Sequence, residues 1–283
     1  MTEQRDTWTS AQGVEIPRIV YGTAWKKERT AALVEQALRL GFRGIDTACQ
    51  PKHYDEAGVG AGLAAARAAG IERQHLYLQT KFTPLSGQDP SRIPYDPTAS
   101  LAQQVAQSFQ RSLANLGTER LDCLVLHSPL ANPSDLREVW LAMEAIVDAG
   151  GARQLGISNC YDPAVLRHLY ENSRIKPAVV QNRFHAATHF DRFIRDFCNR
   201  NGLIYQSFWT LTANPDILSH ATLKDLMAKH GRTAPQILFR YLSQCGVVPL
   251  TGTTSATHMR EDLDIVNFRL DDGDCQAVAA LLR

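Results

Sequence analysis

The chain has 283 residues, of which 44% are hydrophobic and 21% charged, and its formal net charge is +1. That mixture is ordinary for a folded chain with one large core and excludes a disordered one. Without a basic run, it lacks the electrostatic footprint that nucleic acid or an anionic membrane surface requires.

The N-terminus, MTEQRDTWTS, is polar where a signal peptide would be apolar, and no segment reaches the roughly 20 apolar residues of a membrane span. A cytoplasmic protein is therefore expected. Cys49, Cys123, Cys160, Cys198, Cys245 and Cys275 lie far apart, without the close pairing of a zinc site, and read as free thiols. A hairpin is predicted around Gln12-Gly13, after which short β-branched runs alternate with segments of helical periodicity. The strands are predicted at 18–23, 44–48, 76–82, 121–127, 152–158, 178–184, 203–208 and 246–252. Among the helices, ERTAALVEQALRLG buries Leu33, Ala37 and Leu40 and stops at Gly41, and the run from Ser100 carries a stripe of Leu101, Val105, Phe109, Leu113 and Leu116. A third helix is expected to start with Ser134 as its N-cap, and two more, TLKDLMAKHG and TAPQILFRYLSQCG, fit between the last two strands. Eight such alternations predict an α/β fold, a (β/α)8 TIM barrel with an N-terminal β-hairpin, spanning 1–283 as one domain. An open doubly wound sheet is the alternative, but the chain has no Gly-rich G-x-G-x-x-G turn.

In a barrel of this kind reactive side chains gather at the C-terminal strand ends. Asp46, Lys81, His127, Ser158, Asn159 and Gln181 fall at or near those ends. Taken singly, Asp46 could cap a turn and His127 could be a hydrogen-bonded core histidine. Lys81 is different, because a lysine inside LYLQTKF must bury its charge and therefore needs a carboxylate, which Asp46 on the adjacent strand can supply.

The segments GIDTACQPKHYDEAGVG, LYLQTKF, LDCLVLHSPL, GISN and VVQNRF, in this order and spacing, resemble the aldo-keto reductase family across nearly the whole chain. The resemblance implies NAD(P)H-dependent reduction of a small-molecule aldehyde or ketone, with a catalytic tetrad at Asp46, Tyr54, Lys81 and His127. Tyr54 would donate the proton, its pKa lowered by the Lys81 cation, and His127 would orient the carbonyl oxygen. Three more residues separate Asp46 from this tyrosine than in the common family pattern, which leaves His53 and Asp55 as alternatives. No metal is required, because the proton and hydrogen bonds supply the electrophilic assistance. Ser158, Asn159 and Gln181 would hold the nicotinamide carboxamide, with Phe208, or alternatively Trp209, stacked on the ring. Gly22, Thr23, Ala24, Leu211 and Asp262 would line the cofactor side.

Where the family pattern carries a Lys and an Arg for the 2′-phosphate, this chain has Leu250 and His258. Thr253, Thr254 and Ser255, beside a predicted helix N-terminus, and Arg260 remain, so NADP(H) is expected over NAD(H) with modest discrimination. The short chain after the eighth strand predicts a substrate pocket open on one side, walled by Trp25, Tyr54, Trp209 and the loop from Thr83 to Ala99. The alternatives are a cofactor-binding, redox-sensing regulatory protein with little turnover, and an aldolase or isomerase using Lys81 as a Schiff base.

Overall fold

The protein was analysed as a computed structural model, which describes residues 7–282. A two-stranded antiparallel hairpin, β1 (Thr7–Thr9) and β2 (Glu15–Pro17), opens the chain. Its turn uses Gly13 at φ +71, with the Gly13 N–H donating to Ser10 O. Eight parallel strands then close into a barrel: β3 (Val20–Gly22), β4 (Gly44–Asp46), β5 (Tyr77–Phe82), β6 (Cys123–Leu126), β7 (Leu155–Ser158), β8 (Pro177–Arg183), β9 (Ile204–Phe208) and β10 (Val247–Thr251). β10 pairs with both β9 and β3, which completes the ring. All eight predicted strands are present, most of them shorter at their ends. Past β4, for instance, Thr47 N and Cys49 N still donate to Gln79 O and Lys81 O, but the backbone is already turning across the barrel mouth.

The helices are α1 (Thr30–Leu40), α2 (Glu56–Ala68), α3 (Leu101–Leu116), α4 (Pro133–Asp148), α5 (Pro163–Asn172), α6 (Arg192–Asn201), α7 (Pro215–Ser219), α8 (Ala221–His230), α9 (Ala234–Gln244), α10 (Ala256–Leu263) and α11 (Asp272–Ala279). α3 shows why the sequence pattern works. Ser100 and Gln103 form a reciprocal capping box, Val105, Phe109 and Leu116 are buried, and Gly117 ends the helix in the left-handed region. The expected cap of α4 is corrected: Asn132, not Ser134, is the N-cap, and its Oδ1 accepts from Ser134 N at 2.8 Å. Pro133 sets this register, because proline suits the first helical position, where its missing N–H has no intrahelical partner to lose.

Two apolar regions hold the barrel. A large one lies between strands and helices, where Trp140, Phe42 and Phe239 are buried. A smaller one plugs the N-terminal end of the barrel, where Val14 and Ile16 of the hairpin segment meet Val20, Val179 and Val248. The C-terminal helix α11 packs on α8 and α9. Lys229 Nζ lies 2.7 Å from both Asp271 and Asp274, and His230 Nε2 lies 2.8 Å from Asp274, so this helix is tied to the flank of the barrel.

Candidate active site

Side chains two apart on a strand share a face, so Gln79 and Lys81 of β5 both point into the barrel while Thr80 points out, to Glu56 Oε1 at 2.5 Å. Inside, Lys81 Nζ donates to Asp46 Oδ1 at 2.6 Å and to Thr47 O at 2.8 Å, with both side chains of the ion pair almost fully buried. The same Asp46 oxygen accepts from Gln79 Nε2 at 2.6 Å and Gln181 Nε2 at 3.0 Å. Gln206 completes the layer: its Oε1 accepts from Gln79 and Gln181 at 2.8 and 2.9 Å, and its Nε2 donates to Gln79 Oε1 at 3.1 Å. Tyr77 closes the chain by donating to Gln79 Oε1 at 2.6 Å. Burial pulls the Lys81 ammonium below the ordinary lysine value, and Asp46 opposes that pull.

Tyr54 and His127 stand over this pair. The Lys81 ammonium lies 5.2 Å from the centre of the Tyr54 ring, and the Tyr54 and His127 rings meet edge to face at 6.0 Å. Burial pushes the Tyr54 phenol above its ordinary value and the Asp46 carboxylate adds to the rise, the opposite of the expected lowering by Lys81. The chief reason is burial, which disfavours the phenolate; in addition the Lys81 charge is paired with Asp46, so the phenol faces a closely paired cation and anion rather than a free cation. His127 is held well below its ordinary value by burial, then by Lys81 and His53, which makes it neutral at pH 7. Its Nδ1 lies 2.7 Å from Thr83 Oγ1. When the hydroxyl donates to Nδ1, the ring proton sits on Nε2, where it can be given to a ligand oxygen.

The other predicted residues ring the same mouth. Thr23 donates through both N and Oγ1 to Asp46 O at 3.0 and 2.9 Å, and Gly22 and Ala24 flank it. Trp25 N donates to His53 O at 2.7 Å, and the two rings meet at a tilt of 37° with centres 4.1 Å apart. His53 is thereby turned onto Trp25. Asp55 is spent on the cap of α2, accepting from Gly58 N at 2.9 Å. Ser158 is buried. Asn159, at φ +52, donates to His127 O at 2.9 Å and to Ser158 Oγ at 3.3 Å. Phe208 shares the inward face of β9 with Gln206, whereas Trp209, just past the strand end at φ +54, lies 4.3 Å from the Arg183 guanidinium and Leu211 packs on the outer core. At the β10 end, Ser255 caps α10 and its N–H donates to Thr253 Oγ1 at 3.1 Å, with Thr254 exposed. Arg260 is exposed. Asp262 is buried and accepts from Thr251 Oγ1 at 2.7 Å, and burial pushes it up to about 6.

Several residues of the mouth carry no individual role from the sequence: Gln79, Gln206, Lys26, Arg183, and Thr83, which enters only as the start of the pocket-wall loop. Gln79 and Gln206 sit two positions from Lys81 and Phe208 on apolar strands, and that inward polar spacing is a readable signal. Lys26, whose ammonium donates to Gly252 O, bridges the loops after β3 and β10, and only the closed ring brings those loops together.

The chain belongs to the aldo/keto reductase family, whose model matches residues 18–283. It is similar to a probable NAD(P)H-dependent D-xylose reductase of Emericella nidulans, 28% identical over 95% of this chain and 91% of that protein. A glyoxal reductase of Bacillus subtilis is also 28% identical, over 99% of this chain and 94% of that one. Among solved structures, a Bombyx mori aldo-keto reductase in complex with NADP superposes with a TM-score of 0.82 at 25% identity, over 98% and 92% of the two chains.

Proposed function

We propose that this protein reduces aldehyde or ketone carbonyls with NADP(H), Tyr54 giving the proton. The observation that carries this reading is the buried Asp46–Lys81 pair at 2.6 Å with the Tyr54 and His127 rings packed over it. The reduced nicotinamide, when bound, supplies the hydride. Negative charge then develops on the carbonyl oxygen, and two donors of this chain meet it: the Tyr54 hydroxyl transfers its proton, and neutral His127 gives a hydrogen bond from Nε2. The raised Tyr54 pKa keeps the phenol protonated until an alkoxide-like oxygen, a stronger base than phenolate, takes the proton. Lys81 then lies beside the phenolate. Because its ammonium is buried and committed to Asp46 and Thr47, it is poorly placed to attack a carbonyl as a Schiff-base amine.

The residues fit a carboxamide, which needs both a donor and an acceptor. Gln181 has spent its Nε2 on Asp46 and Gln206, which leaves its carbonyl oxygen to accept, and the Ser158 hydroxyl can donate. Asn159 holds Ser158 and His127 together, and Phe208 presents the ring face. NADP(H) is favoured over NAD(H) by Thr253, Thr254 and Ser255 at the start of α10 with Arg260 and Lys26 nearby, and the discrimination is modest because neither cation is buried against the segment. An open pocket is supported by Trp25 at 56% and Trp209 at 44% exposure and by α11 lying on the flank. The loop after β5 forms a fixed wall: Gln88 donates to Cys49 O at 3.0 Å and Tyr95 to Thr83 O at 2.7 Å.

The test is oxidation of NADPH, and separately of NADH, against aldehydes, ketones and imines, with aldehydes first because the relatives are named for D-xylose and glyoxal. Turnover by the wild type that is lost in Tyr54→Phe is the expected result. Tight cofactor binding without turnover across the panel would favour the redox-sensing regulatory reading instead.

A further inference from the structure

We infer that Arg183, stacked on Trp209, forms an oxyanion-binding subsite at the barrel mouth, taking a carboxylate or phosphate on a molecule that enters the site. Arg183 ends β8 opposite Phe208 of β9. It stands two residues beyond Gln181, on the same inward strand face, so it rises from the Asp46 layer toward the opening. Its guanidinium lies 4.3 Å from the centre of the Trp209 ring.

Among the described residues, Arg183 Nε is buried without a hydrogen-bond partner, and the guanidinium enters no ion pair. The contrast with other stacked arginines is direct. Arg195 lies over Phe184 but also donates to Phe190 O at 2.8 Å, and Arg232 lies over Phe268 but is paired with Asp264. A half-buried cation with five donors in a planar fork and no protein acceptor is unfavourable in isolation, and its geometry matches a carboxylate or phosphate. Asp191, the carboxylate of the segment that follows β8, is buried, its Oδ2 accepts from Asn182 at 2.6 Å and Tyr205 at 2.9 Å, and it forms no ion pair with Arg183.

The platform beneath is built at a cost. Trp209 holds φ +54, a region that bulky side chains rarely adopt, and the turn is fixed by Ala213 N donating to Trp209 O at 2.8 Å and Asn214 Nδ2 to Thr210 O at 2.9 Å. The indole is 44% exposed, so burial alone does not account for that position, whereas support of the guanidinium does.

The subsite rests on the reading of the mouth as the reactive end, and its test uses binding rather than turnover so that the two can fail separately. Calorimetric titration of 4-carboxybenzaldehyde, 4-methylbenzaldehyde, inorganic pyrophosphate and NADPH into wild type, Arg183→Gln and Arg183→Lys separates the two sources of the anion. If the anion belongs to the substrate, Arg183→Gln loses the preference for 4-carboxybenzaldehyde over 4-methylbenzaldehyde by about tenfold or more. If it belongs to the cofactor, pyrophosphate and NADPH weaken by a similar factor while the aldehyde ratio holds. In either case Arg183→Lys recovers only part of the loss, because lysine keeps the charge without the fork. Unchanged binding of all four ligands in Arg183→Gln would overturn the proposal.

Discussion

The two ends of the barrel meet the same backbone requirement with different residues. Where the strands begin, the chain turns at seven glycines with positive φ, Gly13 of the hairpin and six that follow helices, from Gly41 to Gly246, while an eighth, Gly231, joins α8 to α9. Where the strands end, positive φ is held by seven residues that are not glycine, among them Trp25, Asn159 and Trp209 at +64, +52 and +54. The interiors differ in parallel: Val14, Ile16 and Val179 fill the first end, while Asp46, Lys81, Gln79, Gln181 and Gln206 fill the second. A turn that only reverses the chain can use glycine at little cost, but a position that must present an indole or an amide needs the side chain as well and so retains the strain. The glycine end is therefore read as scaffold and the strained end as chemistry.

The largest effect expected of that division is at Tyr54. Tyr54→Phe should lower carbonyl reduction by about 100- to 10,000-fold and leave the NADPH dissociation constant nearly unchanged, since in the proposed role the phenol gives a proton and does not hold the dinucleotide. Wild-type turnover should be flat upward from about pH 6.5, because His127 is held below that value. It should fall only where the Lys81 ammonium, which burial pulls below the ordinary lysine value, loses its proton, since Tyr54 is held above its own ordinary value. The fold, by contrast, should weaken as pH falls below about 6.5, where the unfolded chain binds a proton at His127 that the folded one refuses. Near-normal rates in Tyr54→Phe would move the proton donor to His53 or His127.

Next is the pair beneath. Lys81→Ala leaves the buried Asp46 carboxylate without its cation and should destabilise the fold by about 3 kcal/mol, the lower end of such losses, because Gln79 and Gln181 still donate to it. In denaturant titrations the double variant Asp46→Asn with Lys81→Met should recover most of that stability while remaining inactive. A double variant as unstable as Lys81→Ala would show that the pair is structural in a way the comparison denies.

How far the sequence disclosed these two ends depends on the range of the interactions. The strand ladder was legible because β-branched runs and helical periodicity are local, and Lys81 was legible because an apolar strand cannot hold an unpaired cation. Asp46 as its partner followed from strand adjacency alone. What stayed hidden are contacts set by side-chain and loop placement past the strand ends, or by closure of the ring. Thr83 meets His127 across two strands, Lys26 reaches Gly252 only where β3 pairs with β10, and Arg183 rests on a tryptophan whose left-handed backbone no propensity predicts. The Tyr54 pKa belongs with these: a neighbouring lysine is visible in the sequence, but the burial that raises the phenol and the short ion pair that neutralises Lys81 are tertiary facts.

A smaller effect is expected at Thr83, whose hydroxyl, when it donates to Nδ1, sets the His127 tautomer from outside the reacting centre. Thr83→Val should leave Nδ1 without a donor, redistribute the ring proton and lower kcat by up to about tenfold with less change in KM, while Thr83→Ser restores it. Nitrogen-15 spectra of His127 report the tautomer without turnover. An unaltered Nε2–H signature in Thr83→Val would remove the threonine from the positioning of His127.

The smallest effect belongs to the glycine end and tests whether it is scaffold alone. Gly117 closes α3 at φ +62, and an added Cβ there meets no atom within 4 Å, so the whole cost of Gly117→Ala is conformational. Holding an alanine in the left-handed region should cost about 1 kcal/mol, read as a fall of a few degrees in Tm. The reduced freedom of the unfolded chain offsets part of this loss, because alanine samples fewer conformations than glycine before folding. Activity should be untouched, since the residue lies at the far end of the barrel from Tyr54 and no strand end moves with it. If kcat/KM fell severalfold alongside Tm, the two ends would be coupled through α3, and the separation of a glycine-built scaffold from a strained reactive mouth would fail.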